Sequence, residues 1–249
     1  MNEKFVEQFD QSFQFRQDSD FFTDKISGVY SIEYSVRTKA DDKNTVSHPQ
    51  FLEKIAEFSQ WLREDSRIRH VLSISDTFKR LNKNMFNDDE DRYQLPDNKE
   101  LSAQYLLLYE LSLPYGLDLN NQIDVDKSSI RVAATFESQS TSSMLTLEKK
   151  VNAWLSKEMP DLEVFAASPN LMFAHIGYRN VNSMLGGTMI ALILISMILI
   201  LALRSFKIGF MSLAPNLIPA GMAFGLWGLL VGEVGMSLAT AVGMTLGIV

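Results

Sequence analysis

The 249-residue chain carries 23 basic and 30 acidic side chains, a formal net charge of -7, and no cysteine. Thiol catalysis and disulfide cross-links are excluded, and an acidic balance without clustered Lys and Arg argues against nucleic acid as a partner. Mean hydropathy is near zero, but only Arg204, Lys207 and Glu233 carry charge beyond residue 183. With those three set aside, residues 1–183 hold 21 basic and 29 acidic side chains. The chain therefore divides into a polar domain, 1–183, and a membrane domain, 184–249.

MNEKFVEQFDQSFQF at the start has no basic segment followed by an apolar core, so it reads as neither a signal peptide nor a span. GVYSIEYSVR, 28–37, alternates Tyr30, Ile32, Tyr34 and Val36 with Ser31, Glu33, Ser35 and Arg37, which predicts a half-buried strand. HPQFLEKIAEFSQWLRE, 48–64, changes to a helical period, with Phe51, Leu52, Ile55, Phe58, Trp61 and Leu62 on one stripe. IRHVLSI, 68–74, predicts a second strand. An acidic loop, 87–100, a helix, 101–113, and an ordered loop, LPYGLDLNNQID, 113–124, follow.

The pattern then recurs as a strand, 128–137, a helix with a polar start and a proline stop, 140–160, and a strand, 162–168. Two β-α-β units predict an α+β domain of ferredoxin-like type, with helices on one face of an antiparallel sheet.

No catalytic constellation is visible in this region, and the chain reads as a non-enzyme without a cofactor. His48, His70 and His175 lack the partner spacing of a zinc helix and read as structural. The DDED run at 88–91 lacks the glycine and distal glutamate of a calcium loop and reads as a solvated segment.

MLGGTMIALILISMILILAL, 184–203, is uncharged and, at ~1.5 Å per residue, long enough for the ~30 Å hydrocarbon core. A second span is expected at 208–232 and an incomplete third at 234–249. Arg204 and Lys207 sit in the tight turn between the first two spans. The positive-inside tendency puts that turn in the cytoplasm and residues 1–183 on the extracytoplasmic side of a multi-pass inner (cytoplasmic) membrane protein. Export of such a domain requires a helix upstream, and the last stretch stops with no charged flank, so the chain is expected to be cut from a longer one.

Within the membrane, Pro215 and Pro219 flank Asn216 in the second span, which predicts a kink and a polar contact with other helices. Thr240, Gly243, Thr245 and Gly247 make the third span rich in small and hydroxylated residues, suited to a bundle interior.

YLLLYELSLPYGLDLNNQIDVDKSSIRVAATF, PNLIPAGMAFGLWGLLVGEVG and the terminal GMTLGIV together resemble the second half of an RND (resistance-nodulation-division) superfamily exporter of the MMPL or patched-like branch. The resemblance implies a porter-type periplasmic domain followed by the eighth, ninth and part of the tenth helix of a duplicated permease. It implies proton-driven efflux of hydrophobic or lipid-like substrates, with the bilayer and the missing remainder of the permease as partners and a homo-oligomer as an option. The family's acidic relay pair would follow Val249, so no relay residue maps onto this chain, and the fragment alone is expected not to transport. Two alternatives stand beside this one: a membrane-anchored extracytoplasmic binding or sensor module, and a SecD/SecF-like protein-export accessory subunit.

Overall fold

A computed structural model describes residue 4 and residues 6–39, 43–114, 118–211, 214–230 and 240–241. The first elements in chain order are helix α1 (Gln14–Lys25), strand β1 (Tyr30–Thr38), helix α2 (Pro49–Arg63) and strand β2 (Ile68–Leu72). Helices α3 (Ile74–Met85) and α4 (Lys99–Ser112) follow, then strand β3 (Ser129–Phe136), helix α5 (Thr141–Glu158) and strand β4 (Leu162–Ala167). The chain continues into α6 (Pro169–Leu203), α7 (Phe206–Met211) and α8 (Ala214–Leu230).

Contacts divide these elements between two compact units. One is built from Phe9–Ser138 and Leu147–Leu171; the other holds Met1–Gln8, Gln139–Thr146 and Met172–Val249.

The first unit is an α+β assembly around one antiparallel sheet in the order β2-β3-β1-β4. β1 and β2 run parallel with β3 between them, and β3 and β4 run parallel with β1 between them. Each strand pair is joined through a helix, α2 or α5, that crosses over one strand.

The alternation in β1 buries Tyr30, Ile32, Tyr34 and Val36, and β3 adds Ile130, Val132, Ala134 and Phe136 to the same face. Helix α2 starts with Pro49 in its first turn, where a missing N–H costs nothing, and buries Phe51, Leu52, Ile55, Phe58 and Leu62.

Aromatic rings then tie the layers together. Tyr34 meets Phe58 edge-to-face with centroids 5.3 Å apart, Phe58 stacks on Trp154 of α5 at 5.8 Å, and Trp154 stacks on Trp61 at 4.6 Å. Burial pushes the Tyr34 phenol well above its ordinary value, and the negative charges of Glu148 and Asp65 add to the rise. The opposite sheet face is polar, with ion pairs Arg131–Glu33 and Arg37–Glu163 bridging neighbouring strands.

Asp65 ties the turn between α2 and β2 to α5. Only 8 % exposed, it accepts from Arg67 Nε and Nη2, each at 2.7 Å, and from Lys150 Nζ of α5 at 2.9 Å. Hydrogen bonds from Arg67, joined by Lys150, hold its carboxyl far below the usual carboxylate range although burial works the other way.

Between β2 and β3, Ser73 caps α3 and Asn98 caps α4, the latter accepting from Leu101 N at 2.8 Å. Tyr105 Oη donates to Asn82 Oδ1 at 2.9 Å, and Asn82 Nδ2 donates to the Arg92 carbonyl at 3.0 Å, fastening α4 and the acidic loop to α3.

Every strand read from the sequence is present within two residues of its expected limits, as are the helices at 48–64, 101–113 and 140–160. The structure adds α1 and α3, which periodicity did not suggest. The segment expected to cross at 184–203 belongs to the longer α6, and 208–232 contains α8 and the last four residues of α7, which starts at Phe206. Of the third expected span, only Thr240 and Ala241 fall among the described residues, in helical conformation.

Gly28 enters β1 so close to β3 that a Cβ there would stand 2.1 Å from the Phe136 carbonyl oxygen. Gly28→Ala is therefore expected to cost about 2 kcal/mol or more in chemical denaturation followed by tryptophan fluorescence. Asp65→Asn is expected to cost about 2 kcal/mol at neutral pH, because it weakens charge-assisted bonds. The Asp65 pKa is depressed on folding, so its stabilisation is fully present above the unfolded value of about 3.9 and fades as pH falls below it. The parent should consequently lose stability between about pH 5 and pH 2 more steeply than the Asn variant; parallel acid-side curves would refute the clamp.

Candidate functional site

Helix α6 reads PNLMFAHIGYRNVNSMLGGTMIALILISMILILAL, and from Met184 to Leu203 no side chain ionises. A helix satisfies its own backbone donors and acceptors, which is the condition for residence in hydrocarbon. Its stretch Pro169–Ala202 reaches a mean hydropathy of 2.6 over 18 residues, of which only 6 % are buried. A core helix of a water-soluble domain would be mostly covered. Among the described residues this is the one helix long and apolar enough to cross a membrane.

The burial within α6 follows a narrow seam. Val181, Leu192 and Ser196 are buried, whereas Met189, Ile190, Leu194, Ile198 and Leu201 point outward. Ser196 is the buried polar residue of the seam, and its Oγ donates to the Leu192 carbonyl one turn back at 2.7 Å. The hydroxyl is thereby satisfied internally and demands no partner from a neighbour.

Beside that seam lies a groove of about 520 Å³, lined chiefly by Met189, Leu192, Ile193, Ser196, Met197 and Phe206. Its walls are almost wholly aliphatic, aromatic or thioether. Such a surface takes an acyl chain or a flat apolar molecule, and the unbranched methionines adapt to differing shapes. It has no group that exchanges protons, and no cluster of three metal-ligating side chains is found among the described residues.

The residues singled out from the sequence are not gathered around this groove. Pro215 and Pro219 both lie exposed in α8. Pro215 occupies the first turn, where its missing donor has no helical partner to lose. Pro219 is inside the helix and withholds the bond to the carbonyl four residues earlier. Asn216 lies between them in the same helix. Thr240 is half-buried, while Gly243, Thr245 and Gly247 lie outside the described residues. The sequence reading missed the groove; the signal that marks it is Met189, Ile193 and Met197 at successive i, i+4 positions with Ser196 beside them, a pattern hidden inside a uniformly apolar run.

In the sheet domain a second concavity of about 450 Å³ is bordered by Lys39, His48, Phe51, Lys54 and Asp161. Lys54 is paired with Asp161, and Lys39 donates to the Pro160 carbonyl, so both cations already serve the fold. That pairing also holds the Asp161 carboxyl below its ordinary value.

No protein-family model matches the chain, and none of the curated proteins compared with it is a match.

The groove leads to a direct expectation. Native mass spectrometry of the purified chain released from micelles should find retained lipid. Ser196→Trp, which places an indole in the groove, should remove it, whereas Ser196→Ala should leave it in place. Equal lipid retention in all three proteins would show that the groove binds nothing.

Proposed function

We propose that this chain is part of a proton-driven exporter of the RND superfamily, MMPL or patched-like branch, that moves hydrophobic or lipid-like molecules across the inner membrane. The observation that carries the reading is the direct passage of β4 into α6: an α+β domain feeds without a linker into an apolar helix that bears a lipid-sized groove. The strand order supports a ferredoxin-like porter subdomain, since two interleaved β-α-β units are the arrangement expected of one. The basic turn at Arg204 and Lys207 supports an extracytoplasmic position for the sheet domain and a multi-pass path. Since nothing that lines the groove ionises, its residues contact substrate and proton coupling resides in other groups.

A second reading is a membrane-anchored extracytoplasmic binding or sensor module. It is favoured by the finding of one sufficiently long apolar helix among the described residues.

Two experiments separate these readings. Disruption of the gene in its host should raise cellular accumulation of a lipophilic dye, and collapse of the proton gradient in the undisrupted strain should reproduce that rise. Unchanged accumulation in both cases would leave the anchored module as the surviving reading. Because the chain lacks cysteine, Lys149→Cys and Lys207→Cys report sidedness directly. A membrane-impermeant maleimide should label the first on intact cells and the second only after permeabilisation; the reverse pattern would invert the proposed topology.

A further inference from the structure

The two edges of the sheet differ in how they are defended. β2, at one edge, carries Arg69 and His70, has a bulge between Ile68 and His70, and lends its Val71 carbonyl to Arg63 Nη2 at 3.0 Å. Charge, a bulge and an occupied carbonyl all keep an edge from pairing. β4, at the other edge, reads LEVFAA and has no bulge in its pairing with β1. Its one charge, Glu163, is neutralised within the chain by Arg37 Nη2 at 2.6 Å, and Phe165, Ala166 and Ala167 are exposed.

The register also says which backbone groups of β4 face outward. Lys39 N donates to the Asp161 carbonyl at 3.1 Å, so the odd-numbered positions of this antiparallel pair exchange hydrogen bonds: Arg37 with Glu163, Ser35 with Phe165 and Glu33 with Ala167. Val164 and Ala166 therefore turn their N–H and C=O groups away from β1, to a side where no described strand lies. Leu162 faces the same way, but its N–H already donates to the Met159 carbonyl at 3.1 Å, which closes the edge at that end. At the other end the chain turns into α6 at Ser168, whose Oγ donates to the Ser31 carbonyl at 2.7 Å. Between these limits the groups of Val164 and Ala166 form a short ladder that an extended strand satisfies in full.

We infer that β4 pairs antiparallel with β4 of a second copy of this chain, about a twofold axis at Phe165. Two sheets joined edge to edge keep their faces continuous only when opposed residues lie on the same face, which restricts the axis to a residue position. An axis at Glu163 opposes two carboxylates. One at Val164 sets Ala166 against Leu162, whose N–H is already used, and one at Ala166 runs Val164 against Ser168, where the strand has ended. At Phe165 the conflicts vanish. Val164 of each copy exchanges both its bonds with Ala166 of the other, so every outward group of the pair is used. Val164 lies opposite the small Ala166 on the core side, and Glu163 lies opposite Ala167, with no like charges in register. Phe165 then meets its own copy in a non-hydrogen-bonded pair, where Cα atoms approach to about 4.5 Å and aromatic side chains interact best. Pairing of this kind is independent of the transport role proposed above.

Single cysteines test the register in the full chain, which has none of its own. A disulfide needs Cα atoms about 4.4–6.8 Å apart, so Phe165→Cys should give a cross-linked dimer under mild oxidation in micelles and in phosphatidylcholine vesicles. Glu163→Cys and Ala167→Cys each lie about 13 Å along the strand from their own copies, so each should stay monomeric alone. Co-expressed, the two should cross-link to each other. Ala166→Pro removes an N–H that points away from β1, which an edge strand tolerates; it should leave tryptophan-monitored unfolding nearly unchanged and cut the Phe165→Cys cross-link about tenfold or more. Monomeric Phe165→Cys protein would overturn the inference and leave the edge to a strand from another chain. Equal cross-linking of all three single variants would overturn it as random collision, and so would a Phe165→Cys cross-link that a folded Ala166→Pro protein retains. Should Ala166→Pro fail to fold, the co-expressed Glu163→Cys and Ala167→Cys pair decides: no cross-link between them means no such register.

Discussion

The pairing of β1 with both β3 and β4 is the constraint from which the rest of the domain follows. Because β1 lies between two antiparallel neighbours, its residues Glu33–Arg37 are paired on both sides, and their alternation is enforced from both. A slip of one residue would turn Tyr30, Ile32, Tyr34 and Val36 to the polar face and bring Glu33 and Arg37 under α2. The same pairing gathers the entry to β1 and the exit from β4 at one end of the sheet, from which both α1 and α6 depart.

Above that sheet, one continuous aromatic path fixes how the two crossover helices lie. Tyr34, Phe58, Trp154 and Trp61 connect the central strand to α2 and then to α5, and stacked or edge-to-face rings tolerate little sliding. Asp65 acts at the border of this path, where Lys150 reaches both its carboxylate and, at 5.4 Å, the face of the Trp61 ring. The lysine is thus held by a charge on one side and a π-face on the other, and α5 is registered against the turn that leads into β2.

Much of this fold was legible, for reasons that can be read from single residues. β1 and α2 are amphipathic at the right periods because each has one wet side and one dry side, so burial writes itself into the sequence. α3 was hidden because its N-cap, Ser73, and first residue, Ile74, read as the tail of the strand IRHVLSI, and its remaining turns are mostly polar. α1 was hidden for the opposite reason: its large apolar residues face outward, so a search for a stripe that meets a core finds none. The α6 groove resisted detection because periodicity carries information only where polar and apolar residues contrast. In a run such as IALILISMILILAL almost every position is apolar, and only Ser196 marks a side.

The length of α6 adds a last constraint on how the polar and apolar parts share the chain. Thirty-five helical residues extend ~52 Å, so a crossing of a ~30 Å hydrocarbon core by this helix would leave about two-fifths of it outside. The sequence marks which part: His175, Arg179, Asn180 and Asn182 all precede Met184, and nothing polar beyond Thr188 and Ser196 interrupts the remainder. In the projecting part Phe173 and Tyr178 are exposed, and Tyr178 is a side chain suited to the boundary, with a ring for the acyl side and a hydroxyl for water.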